Sequence, residues 1–330
     1  MRDFAYHRPP SVAEAVALRG RLGAGARYFA GGTTLFDLMK LGVEAPAAVI
    51  DVTRIAGLDG IELHRDELRI GARALMSDVA EHALVQREFP VLSESLWKAA
   101  SQQLRNMATV AGNLLQRTRC AYFRGAPEFA CNKRAPGSGC SAIEGLNRAH
   151  AVLGASQVCA AVYPGDMAVA LTALDAIIDT TSPRGQRSLP VRDLHRLPGD
   201  TPEHETVLDE DELIVRIRIP RSAAAKRSTY HKIRDRESYA FALASAAVAV
   251  QLHGNRIADV RIAMGGVATR PWRATEAERS LVGQSLTTAS ARRAAELAFV
   301  NARPLSHNAY KIALGIETVT DALMRARDRS

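Results

Sequence analysis

The spacing of apolar positions changes period several times in the first hundred residues. RYFAGG (27–32) is a short apolar run ending in two glycines, the pattern of a buried strand entering a tight turn. In TTLFDLMKLGV, Leu35, Leu38, Met39 and Leu41 fall near helical spacing, which predicts a helix with Thr33 or Thr34 as N-cap. AAVIDV (47–52) and ELRIGARAL (67–75) read as strands, and a helix is expected from about Met76. WKAASQQLRNMATVAGNLLQ mixes a helix with a turn of small residues. From Arg117 to Cys159 periodicity vanishes and Gly, Pro, Arg and Asn dominate, so a long irregular excursion is expected. DMAVALTALDAIID (166–179) restores a helix and then a strand, and ELIVRIRIP (212–220) alternates as a half-buried strand does. RSAAAKRS (221–228) reads as a linker. Beyond it come strands in STYHKIRDR and IADVRIAMGGV, and a segment, FALASAAVAVQL (241–252), that fits helix or strand. Helices in TEAERSLVG, SARRAAELAFVNA and NAYKIALGIETVTDALMRARDR complete an expected separate α+β domain.

A length of 330 residues suggests two or three domains. No apolar run is long enough for a transmembrane helix, and MRDFAYHRPPSVAEAV has no apolar signal region, so no membrane span and no secretion signal of its own are expected. The net charge of +8 raises the question of nucleic acid. Basic residues are spread along the chain, aromatics are only 5%, and no nucleic-acid motif is present, so an acidic partner or ligand is the better reading.

Two features carry chemistry. Ala30-Gly31-Gly32-Thr33-Thr34 joins a strand to a helix, and Ala108-Thr109-Val110-Ala111-Gly112-Asn113 is a second turn of small residues with a hydroxyl and an amide. Glycines let backbone approach a ligand closely, and helix starts offer free N–H groups, which together suit a diphosphate. Neither turn is a G-x-G-x-x-G or P-loop fingerprint, so a plain strand–helix turn and a helix C-cap at Gly112 stand as alternatives. The second feature is the set Cys120, Cys131, Cys140 and Cys159, spaced C-x10-C-x8-C-x18-C within one 40-residue window. No C-x-x-C pair is present, which argues against a zinc finger or ribbon. A thiolate-bound metal site or two disulfides both fit. Arg117, Arg119, Lys133 and Arg134 nearby would favour thiolates and offset a cluster's negative charge.

FAGGTTLFDLMKLGVEAPAAVIDV resembles the first FAD-binding segment of flavin subunits in the xanthine dehydrogenase, or molybdenum hydroxylase, family, and QLRNMATVAGNLL resembles their second. RTRCAYF, CNKRAPGSGCSAIEG and HAVLGASQVCAAVYPGDMAVAL resemble a narrower group, the flavin subunits of periplasmic aldehyde oxidoreductases, which carry an extra [4Fe–4S] cluster. YHKIRDRESYAFALASAAVAV and the NAYKI stretch extend the likeness over the whole chain. The resemblance implies an α+β fold. Residues 1–222 would form a vanillyl-alcohol-oxidase (PCMH)-type FAD domain, with lobes of about 1–56 and 57–222 and a cluster-binding insertion at about 117–160. Residues 226–330 would form a small domain of carbon monoxide dehydrogenase flavoprotein type.

By the same resemblance Arg27, Tyr28, Phe29, Ala30, Gly31, Gly32, Thr33, Thr34 and Leu35 would wrap the FAD diphosphate, and Thr109, Gly112 and Asn113 would form a second clasp. Asp166 and Lys232 match FAD-contacting residues, and Ile214 an apolar residue packed on the cofactor. From the residues alone, the better readings are Asp166 as a helix N-cap, Lys232 as a solvated strand residue and Ile214 as ordinary core. Cys120, Cys131, Cys140 and Cys159 would ligate the cluster. Where the family usually has His-Pro-Ser-Asp, this chain has Tyr163-Pro164-Gly165-Asp166, a departure that removes any role for that histidine or serine.

The implied function is electron transfer within a heterotrimer. A large subunit with the molybdenum cofactor would oxidise an aldehyde to a carboxylic acid, and a small subunit with two [2Fe–2S] clusters would pass electrons to this chain's FAD and an external acceptor. The flavin subunit of a 4-hydroxybenzoyl-CoA reductase-like enzyme is the alternative within the family. A zinc- or disulfide-stabilised binding protein without redox activity is the alternative outside it. The resemblance implies export to the periplasm on a partner's twin-arginine signal, or a cytoplasmic complex if the partner lacks one.

Overall fold

In the computed structural model, which describes residues 1–125 and 127–329, the early strand–helix alternation builds two lobes on two different sheets. Residue 126 of the expected cysteine insertion and residue 330 of the expected C-terminal domain lie outside the described residues. In the first lobe β1 (Ala5–His7), β2 (Ala26–Phe29) and β3 (Ala48–Asp51) pair in parallel, with β3 central. All four residues of β3 are buried, the usual state of a central parallel strand. The helix Val12–Leu22 covers this sheet through Ala15 and Val16, and the Ser11 hydroxyl caps it by accepting from the Glu14 N–H.

The second lobe is antiparallel, with strands in the order β4 (Ile61–Leu63), β5 (Glu67–Gly71), β8 (Leu213–Pro220), β6 (Ile177–Ser182), β7 (Gly185–Pro190). The alternation in β8 follows the sequence, with Ile217 and Ile219 buried, Arg218 half-buried between them and Arg216 exposed before them. Helices including Pro90–Trp97 and Met167–Ala173 pack on this sheet around Phe89, Leu92, Leu171 and Ile178. The single helix expected from Met76 is two, Met76–Glu81 and Ala83–Glu88, because His82 adopts extended backbone between them.

A third sheet, in the order β12 (Trp272–Arg273), β11 (Arg256–Gly265), β10 (Ala244–His253), β9 (Ser228–Ile233), carries the helices Thr275–Leu281, Thr288–Ala298 and Tyr310–Asp328. The ambiguous FALASAAVAVQL forms most of β10. Ala246, Val248 and Val250 face the helices, while Ala247 joins the core of the second lobe. With both faces buried by small apolar residues, no alternation remains to be read. The expected linker is packed too. Ala223–Lys226 is a helical turn capped by Ser222, with Ala224 and Ala225 buried, and the Ser228 hydroxyl accepts from the Val91 N–H at 3.2 Å.

A buried ion pair seals the third sheet to the second lobe. Asp166, just before the helix Met167–Ala173, makes no cap. Its carboxylate accepts from Tyr230 Oη at 2.6 Å and from Lys232 Nζ at 2.8 Å, and Lys232 also donates to the Lys98 carbonyl at 2.9 Å. The two side chains are 6% and 1% exposed, so Asp166 is not a helix cap and Lys232 is not a solvated strand residue. Removing one partner strands a buried charge. Lys232→Met should therefore lose about 3–5 kcal/mol in urea unfolding, and the double change with Asp166→Leu should recover most of it. A double variant no more stable than the single one would contradict this account.

Candidate functional site

The two small-residue turns meet. At the first, a Cβ on Gly31 would overlap the Met107 carbonyl, so the backbones of the two turns touch only because residue 31 has no side chain. Gly32 has φ +70°, and a Cβ there would press on the Phe29 and Phe36 rings at 2.6 and 2.7 Å. Those rings pack edge to face at 5.0 Å. Thr34 precedes the helix Leu35–Lys40 but makes no capping hydrogen bond, so the expected threonine cap is absent. At the second turn Thr109 caps the helix Val110–Leu114, its hydroxyl accepting from the Gly112 N–H at 3.2 Å. Gly112 therefore lies inside a helix rather than at a C-cap. Hydrogen bonds from Met76 N to Ala108 O and from Val110 N to Ala74 O tie this turn to the segment following β5.

Between the turns lies a cleft of about 450 Å³, within the range of cofactor sites. Every residue from Arg27 to Leu35 lines it, as do Thr109, Gly112 and Ile214. Asn113, Asp166 and Lys232 do not. Asn113 donates to Met76 Sδ at 3.3 Å, and its Oδ1 is buried without a hydrogen-bond partner among the described residues. Two arginines unremarked in the sequence also line the cleft. Arg19 and Arg73 each keep a buried Nε with no hydrogen-bond partner, a donor available to an anionic ligand. The signal for Arg19 was its position, three residues from Val16 and four from Ala15 on the apolar face of its helix. A wall of the right volume, glycine turns and unsatisfied guanidinium donors fit a dinucleotide diphosphate.

All four cysteines line a second cavity, of about 10 Å³, and none is in a disulfide. Cys131 and Cys140 form an antiparallel bridge, and Cys120 precedes a helical turn at Ala121–Arg124. Burial pushes the Cys120 thiol up to about 11 and raises that of Cys159, with Lys133 opposing the second shift. Among the described residues no three His, Cys, Asp or Glu side chains are arranged to hold a single metal ion. Of the four basic neighbours, Lys133 alone lines the cysteine cavity. Arg117 pairs with Glu44 and Glu205, Arg119 with Asp37, and Arg134 donates to the carbonyls of Tyr122 and Phe123, so these three do not offset charge at the thiols directly.

A third cavity, about 50 Å³, stands between the other two. It shares Lys133, Cys159 and Ala161 with the cysteine cavity and Leu115, His204, Glu205 and Thr206 with the cleft. Lys133 Nζ lies 2.7 Å from Glu205 Oε1, and Arg117 Nε 2.8 Å from Glu205 Oε2. Burial disfavours charge on both Arg117 and Glu205, but their mutual attraction wins, raising the arginine and lowering the carboxylate.

The departure at Tyr163-Pro164-Gly165 is a matched pair. Tyr163 Oη donates to the Leu114 carbonyl at 3.1 Å, beside the second turn, and a Cβ on residue 165 would stand 2.6 Å from that hydroxyl. The Tyr163 ring packs 4.3 Å from His195, whose Nε2 meets the same Leu114 carbonyl at 2.9 Å.

Two outcomes follow from this geometry. Gly31→Ala forces the turns apart at a cost of about 1–3 kcal/mol, so flavin affinity, read as flavin retained per chain after gel filtration, should fall about 5- to 150-fold; full retention would break the link between turn contact and cofactor. Burial lowers the His195 ring from 6.5 to about 4. Between those values the unfolded chain binds more protons, so this contribution is complete above pH 6.5 and is lost as pH falls toward 4, about 3 kcal/mol in all. His195→Gln should flatten the pH dependence of the urea midpoint in that window, and an unchanged slope would exclude His195 as its source.

Residues 2–222 match the family model for the FAD binding domain in molybdopterin dehydrogenase, and residues 228–326 match the CO dehydrogenase flavoprotein C-terminal domain. The chain is 46% identical over 329 residues, 99% of each chain, to the aldehyde oxidoreductase FAD-binding subunit PaoB of Escherichia coli K12. It is 30% identical to the carbon monoxide dehydrogenase medium chain of Hydrogenophaga pseudoflava, covering 98% of this chain and 96% of that one. A solved structure of carbon monoxide dehydrogenase from Hydrogenophaga pseudoflava superposes with a TM-score of 0.78 at 29% identity, covering 99% of this chain and 98% of that one. The chain thus belongs to the FAD-binding oxidoreductase subunits of the molybdenum hydroxylase family.

Proposed function

We propose that this chain is the FAD- and [4Fe–4S]-bearing electron-transfer subunit of a heterotrimeric molybdenum-dependent aldehyde oxidoreductase. The observation that carries the reading is the placement of Cys120, Cys131, Cys140 and Cys159 around one cavity, separated from the FAD cleft by a single small cavity that shares residues with both. The full-length relative at 46% identity is an aldehyde oxidoreductase subunit, which supports the substrate class. Among the described residues four thiols and no carboxylate or imidazole line the cavity, a donor set that suits a thiolate-bound iron–sulfur cluster. A four-iron cube would part these side chains, which hang on turns and loops rather than on sheet.

Aldehyde oxidation takes oxygen from water and releases two electrons and two protons, and bound FAD supplies a two-electron carrier between the partner's site and an external acceptor. This chain's residues hold that carrier: Gly31 and Gly32 admit the backbone, Arg19 and Arg73 offer donors, and Ile214 gives an apolar wall. A partner with the molybdenum cofactor and another with two [2Fe–2S] clusters complete the proposed assembly. The proposed compartment is the periplasm, reached on a partner's export signal. No helix among the described residues is long and apolar enough to cross a membrane.

The purified complex should show flavin absorption with a broad iron–sulfur shoulder, four irons on this chain, and flavin bleaching when an aldehyde is added. Cys131→Ser should abolish the iron of this chain while flavin remains. A colourless chain with stoichiometric zinc, or iron content indifferent to Cys131→Ser, would sink the cluster; a flavin that no aldehyde bleaches would sink the substrate class.

A further inference from the structure

One buried side chain beside the cysteines has an unassigned role. His150 Nε2 lies 3.2 Å from Cys120 Sγ, and the residue is 5% exposed. Its other ring nitrogen, Nδ1, is buried with no hydrogen-bond partner among the described residues. A neutral imidazole has one N–H, and the nitrogen with an acceptor in reach is the one that gains by carrying it.

The ring is aimed by the C-terminal domain. Asn308, fully buried, donates to the carbonyls of His150 and Ala151 at 3.2 and 3.1 Å. Lys311 donates to the Ala149 carbonyl at 3.2 Å and to that of Gly266 at 2.6 Å. Asn147 accepts from the His307 N–H at 2.9 Å, and the His150 N–H returns to the Asn147 carbonyl at 2.9 Å. The NAYKI stretch thus fixes the backbone on both sides of the histidine.

We propose that His150 is a positioning and tuning residue, donating an Nε2–H hydrogen bond to the Cys120 thiolate, with Asn308 and Lys311 holding the donor in place. The proposal rests on the cluster reading above. A hydrogen bond withdraws electron density from a ligating sulfur, which favours the reduced cluster and raises its reduction potential. Among the described residues the imidazole contact is to Cys120 and to none of the other three thiols, so the effect belongs to one corner of the site.

The test is a dye-mediated redox titration of the assembled complex, followed by electron paramagnetic resonance. His150→Phe keeps a ring and deletes the donor. The cluster should become ~10-fold harder to reduce at fixed poise, a midpoint about 59 mV lower for one electron. His150→Gln, which restores an N–H, should recover part of the shift, and Asn308→Ala should move it in the Phe direction. The flavin midpoint should stay put. A His150→Phe midpoint equal to that of the unaltered complex, at full iron content, overturns the role of His150 but leaves the cluster standing. An unaltered complex without iron on this chain overturns both. A second readout needs no variant: with ¹⁵N-histidine labelling, a weak nitrogen hyperfine coupling to the reduced cluster is expected, and its absence overturns the hydrogen bond even if His150→Phe fails to assemble.

Discussion

The contact between the Gly31 backbone and the Met107 carbonyl governs the rest of the site. The first turn belongs to a parallel three-stranded lobe and the second to an antiparallel five-stranded one, and these lobes have separate apolar cores. Their turns can form one cleft only where backbone meets backbone. Any side chain at position 31 holds them apart by the size of a methyl group, and a backbone carbonyl cannot step aside as a flexible side chain would. The second turn is equally fixed, since its hydrogen bonds run to Ala74 and Met76 at the end of β5. The cleft is therefore a property of how the lobes touch, not of either lobe alone.

Charge carries this arrangement onward to the cysteines. Arg27 of the first turn lies 4.0 Å from Glu44, Glu44 pairs with Arg117, Arg117 with Glu205, and Glu205 with Lys133 in the cysteine cavity. An isolated exposed ion pair contributes little. Here alternating charges share partners, and the inner ones are largely shielded from solvent, so each side chain ordered by one contact is already in place for the next. The excursion needs such help. Among the described residues its own apolar cluster is Phe123 and Cys131, with Cys120 half-buried, against Leu38 and Val43, and Val152 and Leu153 join the C-terminal core, too little to order some forty residues. Polar contacts do the remainder: Arg134 on the Tyr122 and Phe123 carbonyls, Asn132 on the Val158 carbonyl, Asn147 on that of Ala142.

What was legible in the sequence had a local cause. Strands such as β8 and the Tyr310–Asp328 helix announce themselves because one face is buried and the other is not. The cysteine set was legible from spacing, and both turns from their glycines. What was not legible depends on residues brought together from far apart. Arg19 and Arg73 look like surface arginines until the lobes close. Arg117 and Arg119 sit beside a cysteine in sequence, yet their side chains turn to carboxylates on other segments. Tyr163 and Gly165 read as a loss of a family histidine and serine, whereas they are one device: the tyrosine hydroxyl occupies the space a side chain at 165 would need. β10 defied assignment because two cores flank it, and a strand buried on both faces has no pattern to show.

The seams between the three units are polar where the units' interiors are apolar. Asp166, Tyr230 and Lys232 join the third sheet to the second lobe, and Asn308 and Lys311 join the C-terminal helix region to the segment that ends in Cys159. Apolar faces alone tolerate small slides, since dispersion has little direction. Buried hydrogen bonds do not, because a shifted donor leaves an unsatisfied carbonyl or carboxylate at a cost of about 1–3 kcal/mol. Directional bonds of this kind keep the cleft and the cysteine cavity in fixed register, which a deeper apolar core alone would not do. The third sheet lines neither the cleft nor the cysteine cavity, yet the helix region packed on it holds, through Asn308 and Lys311, the segment that ends in Cys159.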